Sequence, residues 1–329
     1  MPSVLMVLLL TSCDDPKQIV ICYNCGASWG AWGSIFRAFE RKTGIVVPSD
    51  SRNSGQALAA ALAERAHPIA DVLYLGGQAG IQAKTLRLTV AYRPPGFDQI
   101  PTALKDPDGH WFAVHDGTIG FFVNVAALGD LPVPRSWHDL LNPRYRGMIG
   151  YFDPAAAAGF VTGMAVNLAL GGDYANLKPG LDYFTALRKN QPLVVKQTVY
   201  ARILSGEIPI MLDYDFNAYR ARYRDRAQVT FVIPAEGSVS FPYVMTMLSS
   251  APHAGDARRF LDFVLSPAGQ TLWAESYLRP VLPGVVPEEI ASRFLPPSDY
   301  ARARPLNLQA MAALQPRFIE AYNAQVRGQ

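Results

Sequence analysis

The chain has 329 residues, which by length alone predicts about two domains. Hydrophobic residues make up 50% and charged residues 17%, so the composition supports a large buried core and argues against wholesale disorder. The 30 basic and 27 acidic residues leave a net charge of +3, which is too small to indicate nucleic-acid binding.

The N-terminal segment has features of a secretion signal. Residues 4–10 form an unbroken apolar run, much shorter than the roughly 20 residues that span a bilayer but of signal-peptide size. The run ends in "LTSC", which resembles the lipobox of bacterial lipoproteins, although the usual positively charged start is missing. We expect residues 1–17 to be a signal peptide and tether, with lipidation at Cys13 and the mature protein anchored in the periplasm or at the cell surface. A chance cysteine is the alternative.

The next residues alternate between strand and helix patterns. Short apolar runs rich in β-branched residues predict strands, and apolar residues at helical spacing predict helices. The predicted elements are strand 18–23, helix 32–44, strand 45–50, helix 54–67 and strand 70–77. This order is typical of a parallel sheet with helices on both faces.

The pattern restarts near residue 147 and continues through a helix pair at 254–277 that is broken at Pro267. Segments 111–124 and 232–243 flank the second block, so the chain crosses between the blocks twice. We expect an α/β fold of two lobes, each a mostly parallel sheet flanked by helices, joined by two hinge strands. Lobe 1 would comprise residues 18–115 and 236–329, and the inserted lobe 2 residues 116–235.

Four stretches carry a resemblance to a known family: "ADVLYLGG", "YFDPAAAAG", "ARILSGEIPIML" and "DARRFLDFVLSPAGQTLWAE". Their order and spacing resemble the type II periplasmic solute-binding proteins of ABC importers, in the branch with ferric-iron, phosphonate, sugar-phosphate and polyamine binders. The resemblance implies a monomeric receptor without catalytic residues or cofactors. Such a receptor closes its lobes on a small solute and presents it to an ABC permease in the cytoplasmic membrane.

The candidate solute site lies where the strands end, because ligands of open α/β sheets bind beyond the carboxyl ends of strands. Glycine-rich and polar loops follow these strands, and the helix starts behind them favour anions. Aromatic residues at the same ends offer apolar walls and π faces. From these loops we expect ligand contacts from Asn24, Ser28, Trp29, Ser54, Gly55, Gly76, Gly77, Tyr151, Asp153, Tyr200, Tyr214 and Asp215.

The chemistry of this set predicts a small polar solute. A carboxylate with aromatics suits an amine, glycine loops suit an anion, and both together suit a zwitterion such as an aminophosphonate. Ferric-iron members of the branch carry two adjacent tyrosines, whereas the corresponding pair here is Tyr214 and Asp215, and the first loop has no histidine. No metal site is therefore expected.

Two cysteines, Cys22 and Cys25, flank the end of the first strand. Redox pairs of this spacing need the first cysteine at a helix N-terminus, and two cysteines are only half of a zinc site. Free or buried thiols, a structural disulfide, and metal or redox chemistry remain open, the last being least favoured. We expect both cysteines to be dispensable for solute binding.

Two other functions remain open at this stage. A binding protein that reports to a membrane receptor would have the same sequence features as a transport receptor. An enzyme on the same scaffold is less favoured, because the sequence shows no Ser-His-Asp order, no carboxylate pair that a base would orient and no phosphate-loop motif.

Overall fold

The computed structural model describes residues 18–196 and 199–328, so the predicted signal segment 1–17 and its Cys13 lie outside the described residues. Lobe 1 begins with a short parallel sheet and its helices. In chain order these are β1 (Cys22–Tyr23), α1 (Trp32–Thr43), α2 (Ser54–Ala63), β2 (Val72–Gly76), α3 (Gly77–Thr85) and β3 (Thr89–Val90). The predicted strand 45–50 is reduced to one bridge, between Ile19 and Val46.

A long strand, β4 (Phe112–Asn124), carries the chain into lobe 2. The elements of lobe 2 are α4 (Val125–Leu128), β5 (Ile149–Phe152), α5 (Ala157–Ala169), α6 (Lys178–Leu187), β6 (Leu193–Val195), α7 (Tyr200–Leu204), β7 (Ile210–Tyr214), α8 (Asp215–Tyr219) and β8 (Val229–Val232). The predicted crossing at 111–124 is thus one continuous strand.

A second long strand, β9 (Ser238–Leu248), returns the chain to lobe 1. It is followed by α9 (Ala254–Leu265), α10 (Pro267–Glu275), β10 (Arg279–Pro280), α11 (Glu288–Ala291), α12 (Pro297–Tyr300), β11 (Ala303–Pro305) and α13 (Leu308–Tyr322). The predicted break at Pro267 is confirmed, because Ser266 caps the second helix of the pair there. Among the helices of the described ranges, none is both long and apolar enough to cross a membrane.

The two crossing strands join the strands of the described residues into one sheet, whose main order is β1-β2-β9-β4-β7-β5-β6. Strands β3 and β11 pair with β9, and β8 and β10 pair with β4. Within the lobes, β1 pairs with β2, and β5 pairs with β6 and β7, in parallel as expected. The crossing strands pair antiparallel with each other and with β2 and β7. The two-lobe α/β class is confirmed, and the sheet as a whole is mixed because the crossing strands β4 and β9 pair antiparallel with each other and with β7 and β2.

The local sequence explains how the first lobe helix is placed. Helix α1 buries Trp32, Ile35, Phe36 and Phe39, which share one helical face. It ends at Gly44, whose φ of 76° is the left-handed geometry that glycine adopts without steric cost. These apolar contacts hold α1 against the helix pair α9–α10.

Cys22 and Cys25 are joined by a disulfide, which decides between the interpretations left open by the sequence. Both residues are fully buried, one in β1 and the other in the loop that follows it. The bond therefore links β1 to the loop that follows it.

Replacing both cysteines by alanine should lower the free energy of unfolding by about 2 kcal/mol, because the cross-link restricts only a short loop of the unfolded chain. Solute affinity should remain within a few-fold, since neither side chain is exposed. Chemical denaturation measures the first quantity. A reductant should destabilise the parent by a similar amount and leave the variant unchanged; equal stability of parent and variant would contradict a structural role.

Candidate functional site

An aromatic group fills the space where loops of the two lobes meet. We call it the cleft cluster, and it comprises Trp29, Tyr74, His115, Tyr214, Phe216 and Tyr243. Trp29 follows β1 in lobe 1, and its ring lies 5.9 Å from that of Phe216, which follows β7 in lobe 2. Tyr214 stacks on Phe216 at 5.0 Å between ring centroids. The lobes therefore contact each other through aromatic side chains.

Glycine in the crossing strand makes room for this packing. A Cβ atom at Gly117 would lie 2.6 Å from the ring of Phe216 and 2.9 Å from that of Tyr214. Two residues earlier, His115 pairs with Tyr243 across β4 and β9, and their rings stack at 4.9 Å. The hinge strands thus form the floor on which residues of both lobes pack.

His115 is a neutral, buried member of the cluster. It is fully buried, and its Nε2 lies 2.5 Å from the hydroxyl oxygen of Tyr74. Burial lowers the pKa of His115 from 6.5 to about 3. Within the described residues its Nδ1 has no hydrogen-bond partner. The imidazole therefore contributes hydrogen bonding and stacking rather than positive charge.

A charged network surrounds Arg279 beside the cluster. The Arg279 guanidinium donates to Asp215 at 3.1 Å, to Asp116 at 3.2 Å and to the hydroxyl of Thr118 at 2.6 Å. Asp215 also accepts from the backbone N–H of Thr118 and from the hydroxyl of Tyr300. Burial raises the pKa of both Asp116 and Asp215, and the guanidinium opposes that rise. Asp215, predicted as a ligand contact, is thus also engaged within the protein.

Hydrogen bonds connect several of the predicted residues of lobe 1 with neighbouring elements. Asn24, at φ 66°, donates its side-chain amide to the carbonyl of Tyr74 at 2.7 Å and so joins the end of β1 to the middle of β2. Ser54 accepts from the N–H of Gly76 at 3.0 Å, which joins the starts of α2 and α3. Gly77 is buried, whereas Ser28 and Gly55 are exposed. Ser54, Gly55 and Gly77 lie in the first turns of α2 and α3.

Three predicted residues also form hydrogen bonds or an ion pair with residues that the sequence analysis did not single out. The Tyr151 hydroxyl lies 2.5 Å from that of Tyr322 on α13. Asp153 forms an ion pair with Arg327 at 2.5 Å. Tyr200 donates to Asp225 at 2.6 Å within lobe 2. The partners Tyr322, Arg327 and Asp225 lie outside the loops predicted to form the site. The strand pattern therefore did not indicate these three contacts.

Sequence reasoning missed Arg279, Asp116 and Tyr243. Arg279 stands in "YLRPVLP", a stretch without periodicity, and its role depends on the antiparallel pairing of β10 with β4. His115 is the last residue of the predicted lobe 1 segment 18–115 and is not among the expected ligand contacts. An arginine and an aspartate in otherwise apolar segments are the only local signals that could have pointed to the network.

The structure has two α/β lobes, which are joined by two crossing strands and meet at an aromatic and charged site. This arrangement is that of a two-lobe binding protein. The model of the family described as bacterial extracellular solute-binding protein matches residues 67–303. The chain belongs to this family, and its function is to bind a solute outside the cytoplasm. Members of the family are binding proteins rather than enzymes.

Individual relatives agree with this assignment. The chain is 25% identical, over 79% of its length and 77% of the other protein, to a putative 2-aminoethylphosphonate-binding periplasmic protein of Salmonella paratyphi A. The fold matches AfuA of Actinobacillus pleuropneumoniae with fructose-6-phosphate bound (TM-score 0.75, 24% identity, 94% and 98% of the two chains). It also matches iron-bound HitA of Pseudomonas aeruginosa (TM-score 0.77, 20% identity, 93% and 99%).

Replacing His115 by glutamine should reduce the fall in the free energy of unfolding that accompanies acidification. With a native pKa lowered to about 3, the buried imidazole stays neutral while the unfolded chain takes up a proton below pH 6.5. The neutral imidazole therefore contributes fully to the free energy of unfolding above pH 6.5. Below that pH the contribution falls by about 1.4 kcal/mol for each pH unit of acidification. Urea unfolding between about pH 7 and about pH 5 measures the difference between parent and His115→Gln. A difference that stays constant across this range would contradict burial of a neutral His115.

Proposed function

We propose that the chain captures a small zwitterionic solute, with an oxyanion at one end and an amine at the other, by closing its lobes. An aminophosphonate is the solute class that fits best. The closed form is then presented to an ABC permease in the cytoplasmic membrane, by a monomer that does not transform its solute. The observation that carries this proposal is the contact of Trp29 with Phe216, since it joins loops of both lobes at one place.

Helix starts supply the anion end of the proposed site. Helices α2, α3 and α5 begin at Ser54, Gly77 and Ala157. Helix α3 follows β2 directly, whereas a loop precedes each of the other two. The first amides of a helix lack partners inside the helix and carry partial positive charge. The first turns of α2 and α3 contain no acidic side chain that would compete with an anion, whereas before α5 the carboxylate of Asp153 already accepts from the N–H of Ala155. A compact oxyanion such as a phosphonate suits these groups.

The charge balance at the hinge favours a cation at the other end. Asp116 and Asp215 both contact Arg279, so the three groups together carry one net negative charge when both carboxyls are ionised. Trp29 and Tyr243, both partly exposed, stand beside this network and offer π faces to an ammonium group. A solute amine would offset the excess charge and lower the raised carboxyl pKa values.

A matched pair of solutes tests the amine requirement by calorimetry. 2-Aminoethylphosphonate should bind at least about tenfold more tightly than ethylphosphonate, because a hydrogen bond to a charged group contributes about 1.5–3 kcal/mol. Equal affinity for the two would remove the amine from the proposal. Absence of binding for both would reject the phosphonate class and call for a screen of sugar phosphates, amino acids and polyamines.

Asp215→Asn should reduce the preference for the amine-bearing phosphonate over ethylphosphonate by about tenfold or more. Because the substitution also weakens the pairing with Arg279, both affinities fall, and the ratio between them is the readout. The matched control is Asp262→Asn. Asp262 lies on helix α9 and, like Asp215, accepts a hydrogen bond from a tyrosine hydroxyl, that of Tyr92. Calorimetry on both variants measures the effect. If Asp215→Asn binds the amine as well as the parent does, the carboxylate has no part in recognition.

We also propose that the chain is anchored through Cys13. Mass spectrometry of protein extracted from membranes should find an acylated N-terminal cysteine at position 13. A mature form that starts at another residue and carries no lipid would exclude the anchor without affecting the proposed solute site.

A further inference from the structure

The last part of the chain contacts both lobes. We call it the C-terminal brace: helix α13 and the turn Asn323–Arg327 that follows it. Its first half lies on α3 of lobe 1. A Cβ atom at Gly77 would lie 2.8 Å from the side chain of Leu308, and Gln78 donates to Gln315 at 2.9 Å. The brace therefore touches the first turn of α3, one of the proposed anion-binding helix starts.

The second half of the brace packs on lobe 2. Phe318 is fully buried, lies over Gly163 of α5 and contacts Phe160 at 5.4 Å between ring centroids. Tyr322 reaches the hydroxyl of Tyr151 at the end of β5. This half is anchored by aromatic burial, whereas one side-chain hydrogen bond and apolar contacts hold the first half.

The turn after α13 fixes the loop that precedes α5. Arg327 pairs with one carboxylate oxygen of Asp153, and the other oxygen accepts from the N–H of Ala155 at 2.9 Å. The carbonyl of Val326 accepts from Arg188 of lobe 2. Burial alone would raise the pKa of Asp153, but the N–H of Ala155 and the Arg327 guanidinium outweigh it and lower that pKa. The loop 153–156 is thus held in place from outside the space between the lobes.

A proline separates the two halves of the brace. Pro316 lies inside α13, between Gln315, which contacts lobe 1, and Phe318, which contacts lobe 2. An internal proline removes a helical hydrogen bond and makes its position the natural bend of the helix. A helix that contacts two moving bodies would need to bend at this point.

We propose that the C-terminal brace is a third connection between the lobes, which moves with lobe 2 and seats on α3 when the lobes close. Gln315 and Arg327 act as positioning residues: they hold the starts of α3 and α5 without touching the solute. Solute affinity then depends partly on residues outside the site. The inference about closure rests on the proposed two-lobe capture, but not on which solute is captured.

A cross-link without solute tests the connection directly. Gln78→Cys and Gln315→Cys, in a Cys13→Ser background, are joined by a short bismaleimide. The control pair is Asp182→Cys and Gln325→Cys, whose parent side chains bond at 2.8 Å between α6 and the brace, both on lobe 2. Small-angle scattering should show a smaller radius of gyration after cross-linking the first pair and no change for the control. An unchanged radius for the first pair would overturn the proposal.

Single substitutions test the same bond without a cross-linker, with 2-aminoethylphosphonate as the probe. Gln315→Ala should weaken binding about two- to tenfold, because it removes one hydrogen bond made only in the closed state. Gln315→Glu keeps the acceptor for Gln78 and should restore affinity, and Gln325→Ala, which removes a bond within lobe 2, should have no effect. Equal losses for Gln315→Ala and Gln325→Ala would reduce the brace to a structural element. If the probe binds neither the parent nor any variant, the proposed solute is wrong. The scattering experiment, which needs no solute, then tests the proposed brace on its own.

Discussion

The arrangement of the lobes depends on the guanidinium of Arg279, which lies between two carboxylates at the hinge. Asp116 belongs to crossing strand β4 and Asp215 to the first turn of α8, and both would repel each other without the intervening cation. Breaking a buried pair costs about 3–5 kcal/mol, and less here because the arginine side chain is 23% exposed. By holding α8 against β4, the arginine also sets the positions of Tyr214 and Phe216.

Closure of the lobes cannot rest on the aromatic contact alone. A pair such as Trp29 and Phe216 contributes about 0.5–1.5 kcal/mol beyond its area. Turning a mostly open population into a mostly closed one takes roughly 5.5 kcal/mol. The solute must therefore supply most of the difference through contacts that exist only in the closed state. Such a division of energy suits a receptor that must open again to release its cargo.

Local patterns in the sequence predicted much of the fold but only part of the site. The end of α1 at Gly44 and the break at Pro267 carry their own signals, as does the alternation of strands and helices. Contacts between distant residues leave no such trace: Tyr151 meets Tyr322 across 171 positions. The strand pattern placed Asn24 and Trp29 correctly at strand ends, yet it could not show which side chains other segments already engage.

Distances between spin labels on the two lobes test the central claim of closure around a solute. Labels at Gln56→Cys in lobe 1 and Leu193→Cys in lobe 2, in a Cys13→Ser background, occupy exposed positions. Saturation with a solute identified by calorimetry should replace a long, broad distance distribution by a shorter and narrower one. A distribution that is the same with and without bound solute would contradict the account, because the lobes would then bind without closing.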